Sequence, residues 1–163
     1  MNDNSASNPA NLGSNTLAQV AFVVRDIEEA SRRWADVLGQ PVPKVIVTEP
    51  GNAVAMTAYG VPSDAQCKLA FFSLGQVQLE LIEPIGDMSA WAKVLNEKGE
   101  GFHHLAFWVE GMQKSVDFLK ERGVPMVQRG DMGPGQYAYF DATDRLGTHI
   151  ELLEKAREAR AEP

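Results

Sequence analysis

A single cysteine, Cys67, occurs in the 163 residues. One thiol excludes an internal disulfide and falls far short of a cysteine-based zinc site, so it reads as a small buried hydrophobe. Long apolar runs are missing: none approaches the ~18 residues of a membrane-spanning helix. Basic charge is scarce as well, with 15 Lys+Arg against 22 Asp+Glu and a net charge of −7. A phosphate-tracking surface needs a basic stripe, so nucleic acid and anionic membrane are not expected partners. The opening MNDNSASNPANLGSN has neither a basic n-region nor an apolar h-region. It reads as a polar tail over residues 1–16, and the expected location is cytoplasmic. What is present is 44% hydrophobic and 23% charged, the profile of a soluble globular chain able to bury its own core.

Patterning begins at Leu17 with LAQVAFVV, an apolar strand ending at Asp26. Asp26 followed by Glu29 has the form of a capping box. IEEASRRWADVLG then places Ile27, Ala30, Trp34, Val37 and Leu38 on one helical stripe that Gly39 closes. KVIVTEP, AVAMTAY, CKLAFFSLG and QVQLELIEP read as strands, the last two joined by a hairpin at Gly75. A short helical connector with Trp91, Val94 and Leu95 follows, and then the order restarts. FHHLAFWV is a strand, MQKSVDFLKERG a helix with Val116, Phe118 and Leu119 inward and Gly123 at its end, and VPMVQRG, QYAYFDA and GTHIELLE three more strands. VAFVVRDIEEASRRWADVLGQPV thus matches LAFWVEGMQKSVDFLKERGVPM, and QVQLELIEP matches THIELLEKA. An internal repeat of this kind makes the fold class α+β. Two tandem βαβββ modules, residues 17–84 and 101–154, are joined by the connector 85–100 and followed by a charged tail, 155–163. They are expected to form an open, curled mixed sheet around a central cleft, with helices outside.

Side chains alternate across a strand, so parity assigns faces. Val20, Phe22 and Val24 belong under the first helix, which turns Gln19, Ala21 and Val23 to the cleft. Val77, Leu79 and Leu81 oppose Gln76, Gln78 and Glu80. Leu105, Phe107 and Val109 oppose His104, Ala106 and Trp108, while Ile150 and Leu152 oppose His149 and Glu151. Four strands at corresponding repeat positions therefore each send one candidate ligand inward: Gln19, Glu80, His104 and Glu151. An imidazole, an amide oxygen and two carboxylates suit one divalent ion such as Zn, Mn, Co or Ni.

The pattern resembles the vicinal oxygen chelate superfamily of glyoxalases, epimerases, extradiol dioxygenases and metal-free resistance proteins, over residues 17–154. LGQVQLELIEP, KVLNEKGEGFHHLAFWV and YFDATDRLGTHIELLE are most similar to its methylmalonyl-CoA epimerase branch. The resemblance places the family's four metal positions on Gln19, Glu80, His104 and Glu151, the set that parity selects. It implies an isomerase or epimerase that moves a proton next to a carbonyl or thioester through a metal-stabilised enolate; Glu151, whose strand end opens to the cleft, is the candidate base. A small-molecule substrate, with an acyl-CoA as the candidate class, and a homodimer are implied with it. Gln19 is a departure, because epimerases of this branch carry His there; Gln, Glu, His, Glu resembles the ligand set of zinc glyoxalases. A glyoxalase-type lyase is therefore an alternative, although Val23 stands where glyoxalases carry a basic glutathione-binding residue. A metal-free binding or resistance protein is the other alternative. The second carboxylate of epimerases has no direct counterpart: Thr57 or Tyr59 falls near it, and Glu49 reaches it only through a shifted loop. Gln78 and His149, ~7 Å along their strands from the ligand set, are placed to bind substrate oxygens or to pack. Tyr139, with Tyr137, supplies a pocket wall. Lys93, Lys98 and Arg129 are the basic residues available to a coenzyme A group.

Overall fold

The structure, a computed structural model, describes residues 11–156. Most of the polar leader and all but the first two residues of the charged C-terminal segment lie outside the described residues. The chain runs β1 (Leu17–Val23), α1 (Ile27–Leu38), β2 (Ile46–Val47), β3 (Thr57–Ala58), β4 (Val61–Pro62), β5 (Gln66–Leu74) and β6 (Val77–Ile85). It continues through α2 (Ala90–Lys98), β7 (Gly101–Trp108), α3 (Met112–Glu121), β8 (Met126–Met132), β9 (Gly135–Ala142), α4 (Thr143–Leu146) and β10 (Thr148–Glu154). All strands join one curled sheet in the order β2-β5-β6-β1-β7-β10-β9-β8-β3-β4. β1 and β7, the first strands of the two repeats, pair antiparallel at its centre. Each is flanked by the last strand of its own repeat, β6 or β10, in parallel. The two halves are thus related across the β1–β7 seam.

Helices α1 and α3 cover the convex face. Asp26 caps α1 by accepting from the Glu29 N–H at 2.9 Å, and Gly39 ends it in the left-handed region at φ 62°. Ile27 and Ala35 pack with Val24, Phe72, Leu79 and Leu81, and Leu119 packs with Phe140, Ile150 and Leu152. Val37, expected on the buried stripe, is 79% exposed. Ten residues beyond Ile27 at about 100° each, it sits roughly 80° off that direction, while the buried line runs through Ile27, Ser31 and Ala35.

The repeat ELIE (80–83) and ELLE (151–154) explains how the helices are fixed. The first Glu of each turns into the cleft, while the fourth, Glu83 or Glu154, turns to a helix start. Glu83 accepts from the Ile27 N–H at 2.8 Å. Glu154 accepts from both Gly111 and Met112 N–H at 2.9 Å, where Gly111 has no side chain to cap α3 itself. Glu154→Ala leaves the buried Met112 N–H and the part-buried Gly111 N–H without their acceptor and is expected to lower stability by about 2 kcal/mol, read as a shifted urea midpoint with unchanged slope.

Two features of the first half depart from the sequence pattern. KVIVTEP and AVAMTAY were expected as strands, but only Ile46–Val47 and Thr57–Ala58 are extended, with a 3₁₀ turn at Gly51–Val54 between them. Pro41, Pro43 and Pro50 remove donors before and within the segment, and Ala55 and Tyr59 take left-handed conformations, φ 49° and 51°, that no strand tolerates. After β2, which pairs with β5, the segment leaves the first half: β3 pairs with β8 of the second. Residues 48–57 therefore cross from one end of the curled sheet to the other. The connector helix α2 also sits on the concave side rather than outside. Its Trp91, Val94 and Leu95 pack against Ala21, Val23, Ile82 and Tyr139, each large side chain contributing about 1.5–3 kcal/mol on burial. Among the described residues no helix is long and apolar enough to cross a membrane.

Candidate metal centre and its cavity

Register across the four central strands builds the site in two rows. Glu80, Ala21, His104 and His149 are lateral neighbours along β6, β1, β7 and β10; Gln78, Gln19, Ala106 and Glu151 form the adjoining row. Ala21 and Ala106 are fully buried and equivalent in the repeat, VAF against LAF. Their small side chains leave room between Glu80, His104 and Glu151. The His104 Nε2 lies 2.9 Å from Glu151 Oε2 and 3.4 Å from Glu80 Oε2, and ligand atoms of all three fall within 4.8 Å of one another.

These contacts are not ion pairs. Burial pushes the His104 imidazole down to about 3, so it is neutral. Glu80 is pushed well above the carboxylate range by burial and then by the Glu151 charge. Burial lifts Glu151 to about 8, against the pull of a Tyr139 hydrogen bond. Among the described residues, Glu80 Oε2, His104 Nε2 and Glu151 Oε2 are buried with no hydrogen-bond partner. Buried acceptors are rarely left bare, and three aimed at one point are what a divalent cation satisfies. Glu80, His104 and Glu151 form a possible metal-binding group.

The fourth expected ligand, Gln19, lines the same cavity and donates its amide to Gln78 Oε1 at 3.3 Å. The cavity, of about 460 Å³, is bounded by Gln19, Gln78, Glu80, Glu151 and Tyr139 on the sheet, Trp91 on α2, and Thr48, Glu49, Val54 and Met56 on the crossing segment. His104 lies directly behind the two carboxylates, fully buried. His149 is not part of the lining; it is stacked on His103 with ring centroids 5.1 Å apart. Thr57 and Tyr59 are outside the lining too, whereas Glu49 and Asp131 are within it. Lys93, Lys98 and Arg129 do not line it. Cys67 does, but burial holds its thiol far above the ordinary range, so it is protonated and acts as an apolar wall. Tyr139, 3% exposed, is likewise held as the neutral phenol by burial and by the Glu151 and Glu80 charges.

Two features of the site escaped the sequence reading. Glu49 could not be placed because the crossing segment has no strand register. His103 has no role assigned by strand parity, yet it is 1% exposed and touches His104. The adjacent pair in GFHHLAF was its signal, since neighbours on a regular strand cannot both face inward.

The profile of the Glyoxalase/Bleomycin resistance protein/Dioxygenase superfamily matches residues 18–140. The ethylmalonyl-CoA/methylmalonyl-CoA epimerase of Cereibacter sphaeroides is 28% identical over 144 residues, 83% of this chain and 95% of that protein. The mitochondrial methylmalonyl-CoA epimerase of Bos taurus is 32% identical over 115 residues, 70% of this chain but 57% of the bovine protein. This chain thus spans a little over half the length of its mitochondrial relative. A methylmalonyl-CoA epimerase solved in complex with methylmalonyl-CoA and NH4+ shares the fold at a TM-score of 0.61 and 22% identity, covering 92% of this chain and 99% of that one. With a match that begins in the first strand and ends in the ninth, and relatives that share both halves of the repeat, the chain belongs to the glyoxalase/bleomycin resistance protein/dioxygenase superfamily.

Proposed function

We propose that the protein is a divalent-metal-dependent isomerase of the epimerase type, acting on the carbon next to a carbonyl or thioester. The observation that carries this is the convergence of Glu80 Oε2, His104 Nε2 and Glu151 Oε2, buried and without partners among the described residues. Those three residues, with the Gln19 amide oxygen as a fourth donor, would hold a Zn, Co, Mn or Ni ion. Such an ion supplies Lewis-acid polarisation of a carbonyl oxygen, which acidifies the adjacent C–H. The rest is done by side chains. Glu151, buried against the cavity and directly opposite Tyr139, is the base that takes the proton, its carboxylate form favoured by the neighbouring cation. Tyr139 donates to Glu151 and fixes its orientation. Glu49, on the crossing segment of the same cavity, is the second carboxylate, able to return a proton from another direction. Gln78 is placed to hydrogen-bond a substrate oxygen. Trp91, Met56 and Leu69 exclude water from the acyl group. An acyl-CoA thioester is the substrate class that the epimerase relatives favour.

The carbonyl compound distinguishes this from a lyase of the glyoxalase type, the second reading, which the Gln19 donor favours. The test has two stages. Metal content is measured after purification without added metal, and again for His104→Ala. Stoichiometric divalent metal in the wild type and its loss in the variant are expected; a wild type that binds no divalent ion sinks the isomerase. Solvent deuterium exchange into malonyl-type acyl-CoA thioesters is then compared with exchange into hemithioacetals. Exchange in the thioesters alone supports the epimerase, in the hemithioacetals alone the lyase, and in neither sinks both.

A further inference from the structure

His103 occupies a position that a regular strand does not offer. Phe22 pairs with Phe102 and Ala21 with His104, so β7 carries one residue more than β1 between those pairs. That extra residue is His103, and the bulge turns it to the same concave side as His104. There it is locked: His149 stacks on it at 16°, and Tyr139 meets it edge-on at 5.6 Å. Its two ring nitrogens have distinct partners. Nε2 lies 3.3 Å from the Ala90 carbonyl at the start of α2, and Nδ1 lies 2.9 Å from His104 Nδ1.

The proton positions follow from chemistry. A carbonyl oxygen only accepts, so His103 Nε2 carries the hydrogen. His103 is 1% exposed, and the groups set against it are the His104, His149 and Tyr139 rings and the Ala90 carbonyl, none of which brings a negative charge to hold a buried imidazolium, so its ring is neutral. Its Nδ1 is therefore a bare acceptor, and His104 Nδ1 must donate to it. The lone pair of His104 is left on Nε2, the nitrogen that faces Glu80 and Glu151.

We propose that His103 is a positioning residue that sets the tautomer of His104, through the relay Ala90 C=O to His103 to His104, so that Nε2 is presented as a ligand to a divalent cation. The use of that lone pair rests on the metal-centre reading above; the relay itself does not. An imidazole acceptor behind a ligating histidine raises ligand basicity and fixes ring orientation, and loss of such a partner typically weakens metal binding 10–100-fold.

The test uses the full chain, labelled with 15N-histidine. His103, His104 and His149 are the only three histidines, so long-range 1H–15N spectra at neutral pH are readily assigned. The expected spectrum of the metal-free wild type has a proton on Nδ1 of His104 and on Nε2 of His103. A bare Nδ1 on His104 overturns the relay, whether or not metal binds. Zn2+ affinity is then measured by chelator competition for His103→Leu and His103→Asn. Both variants lose the bond to Ala90, so any general loosening is shared. Only Asn places an acceptor oxygen where Nδ1 was. His103→Leu is expected to bind Zn2+ about 10–100-fold more weakly, and His103→Asn within about threefold of wild type. Equal affinities for the two variants overturn the proposal. A wild type that binds no Zn2+ defeats the metal-centre reading instead, and the tautomer spectrum still decides the relay.

Discussion

Glu151→Gln is expected, on the proposed function, to lower proton exchange into an acyl-CoA thioester by about 10²–10⁴-fold at saturating metal, the range that removal of a general base spans. The substitution keeps size and shape and retains an amide oxygen as a weaker ligand, so the loss isolates basicity. Glu80→Gln is the control. Its carboxylate is equivalent in the repeat and similarly buried, but it is Glu151 that has Tyr139, directly opposite on β9, hydrogen-bonded to it. On the proposed function Glu80 would serve as a fixed ligand, and its variant is expected to need more metal but to recover exchange within about tenfold once saturated. Single-turnover deuterium incorporation, measured against metal concentration, separates the two. If both variants recover on adding metal, Glu151 is a ligand only.

The metal-free protein is expected to lose stability as pH rises from 6.5 to 8, and added Zn2+ is expected to abolish that loss. Glu151, at about 8, and Glu80, well above the usual range, both have folded values raised above their ordinary 4.5. Such groups contribute stability that is complete below about 4.5 and lost as pH climbs through the folded value. The buried histidines have the opposite sign. His104 at about 3, with His103 also depressed, contributes stability that is complete above the ordinary 6.5 and lost as pH falls. Above pH 6.5 only the carboxylates act, so unfolding free energy should fall by about 2–4 kcal/mol across that window. A bound cation replaces their protons, and at a thousandfold excess over its Kd adds about 4 kcal/mol. Urea denaturation at three pH values, with chelator and with Zn2+, measures both. A flat or rising metal-free profile would show that Glu80 and Glu151 already share their charge with something else in the fold.

The faces of the central strands were legible because β1, β6, β7 and β10 are regular where it matters. In each, apolar residues under a helix alternate with one polar residue opposite, so parity alone put Gln19, Glu80, His104 and Glu151 on one side. The repeat of ELIE and ELLE was equally visible, although its second function, the reach of Glu83 and Glu154 to the starts of α1 and α3, needed the helices in place. Residues 45–65 were not legible. Their Val and Ile content has strand character, but prolines and left-handed turns at Ala55 and Tyr59 break the period from which a face is read. Glu49 was lost with that period.

By itself the sequence determined the repeated strand-then-helix order, the start and stop of α1, and which side of each regular strand meets the cleft. These are local properties: hydrophobic period, capping residues and the alternation of a pleated backbone. Tertiary structure decided three things that no local rule reaches. It brought the crossing segment from the first half onto β8 of the second, it seated α2 inside the curve of the sheet, and it slipped one residue into β7 so that His103 stands behind His104. Each depends on pairing between residues far apart in the chain, where register is set by the partner strand rather than by the neighbouring residues.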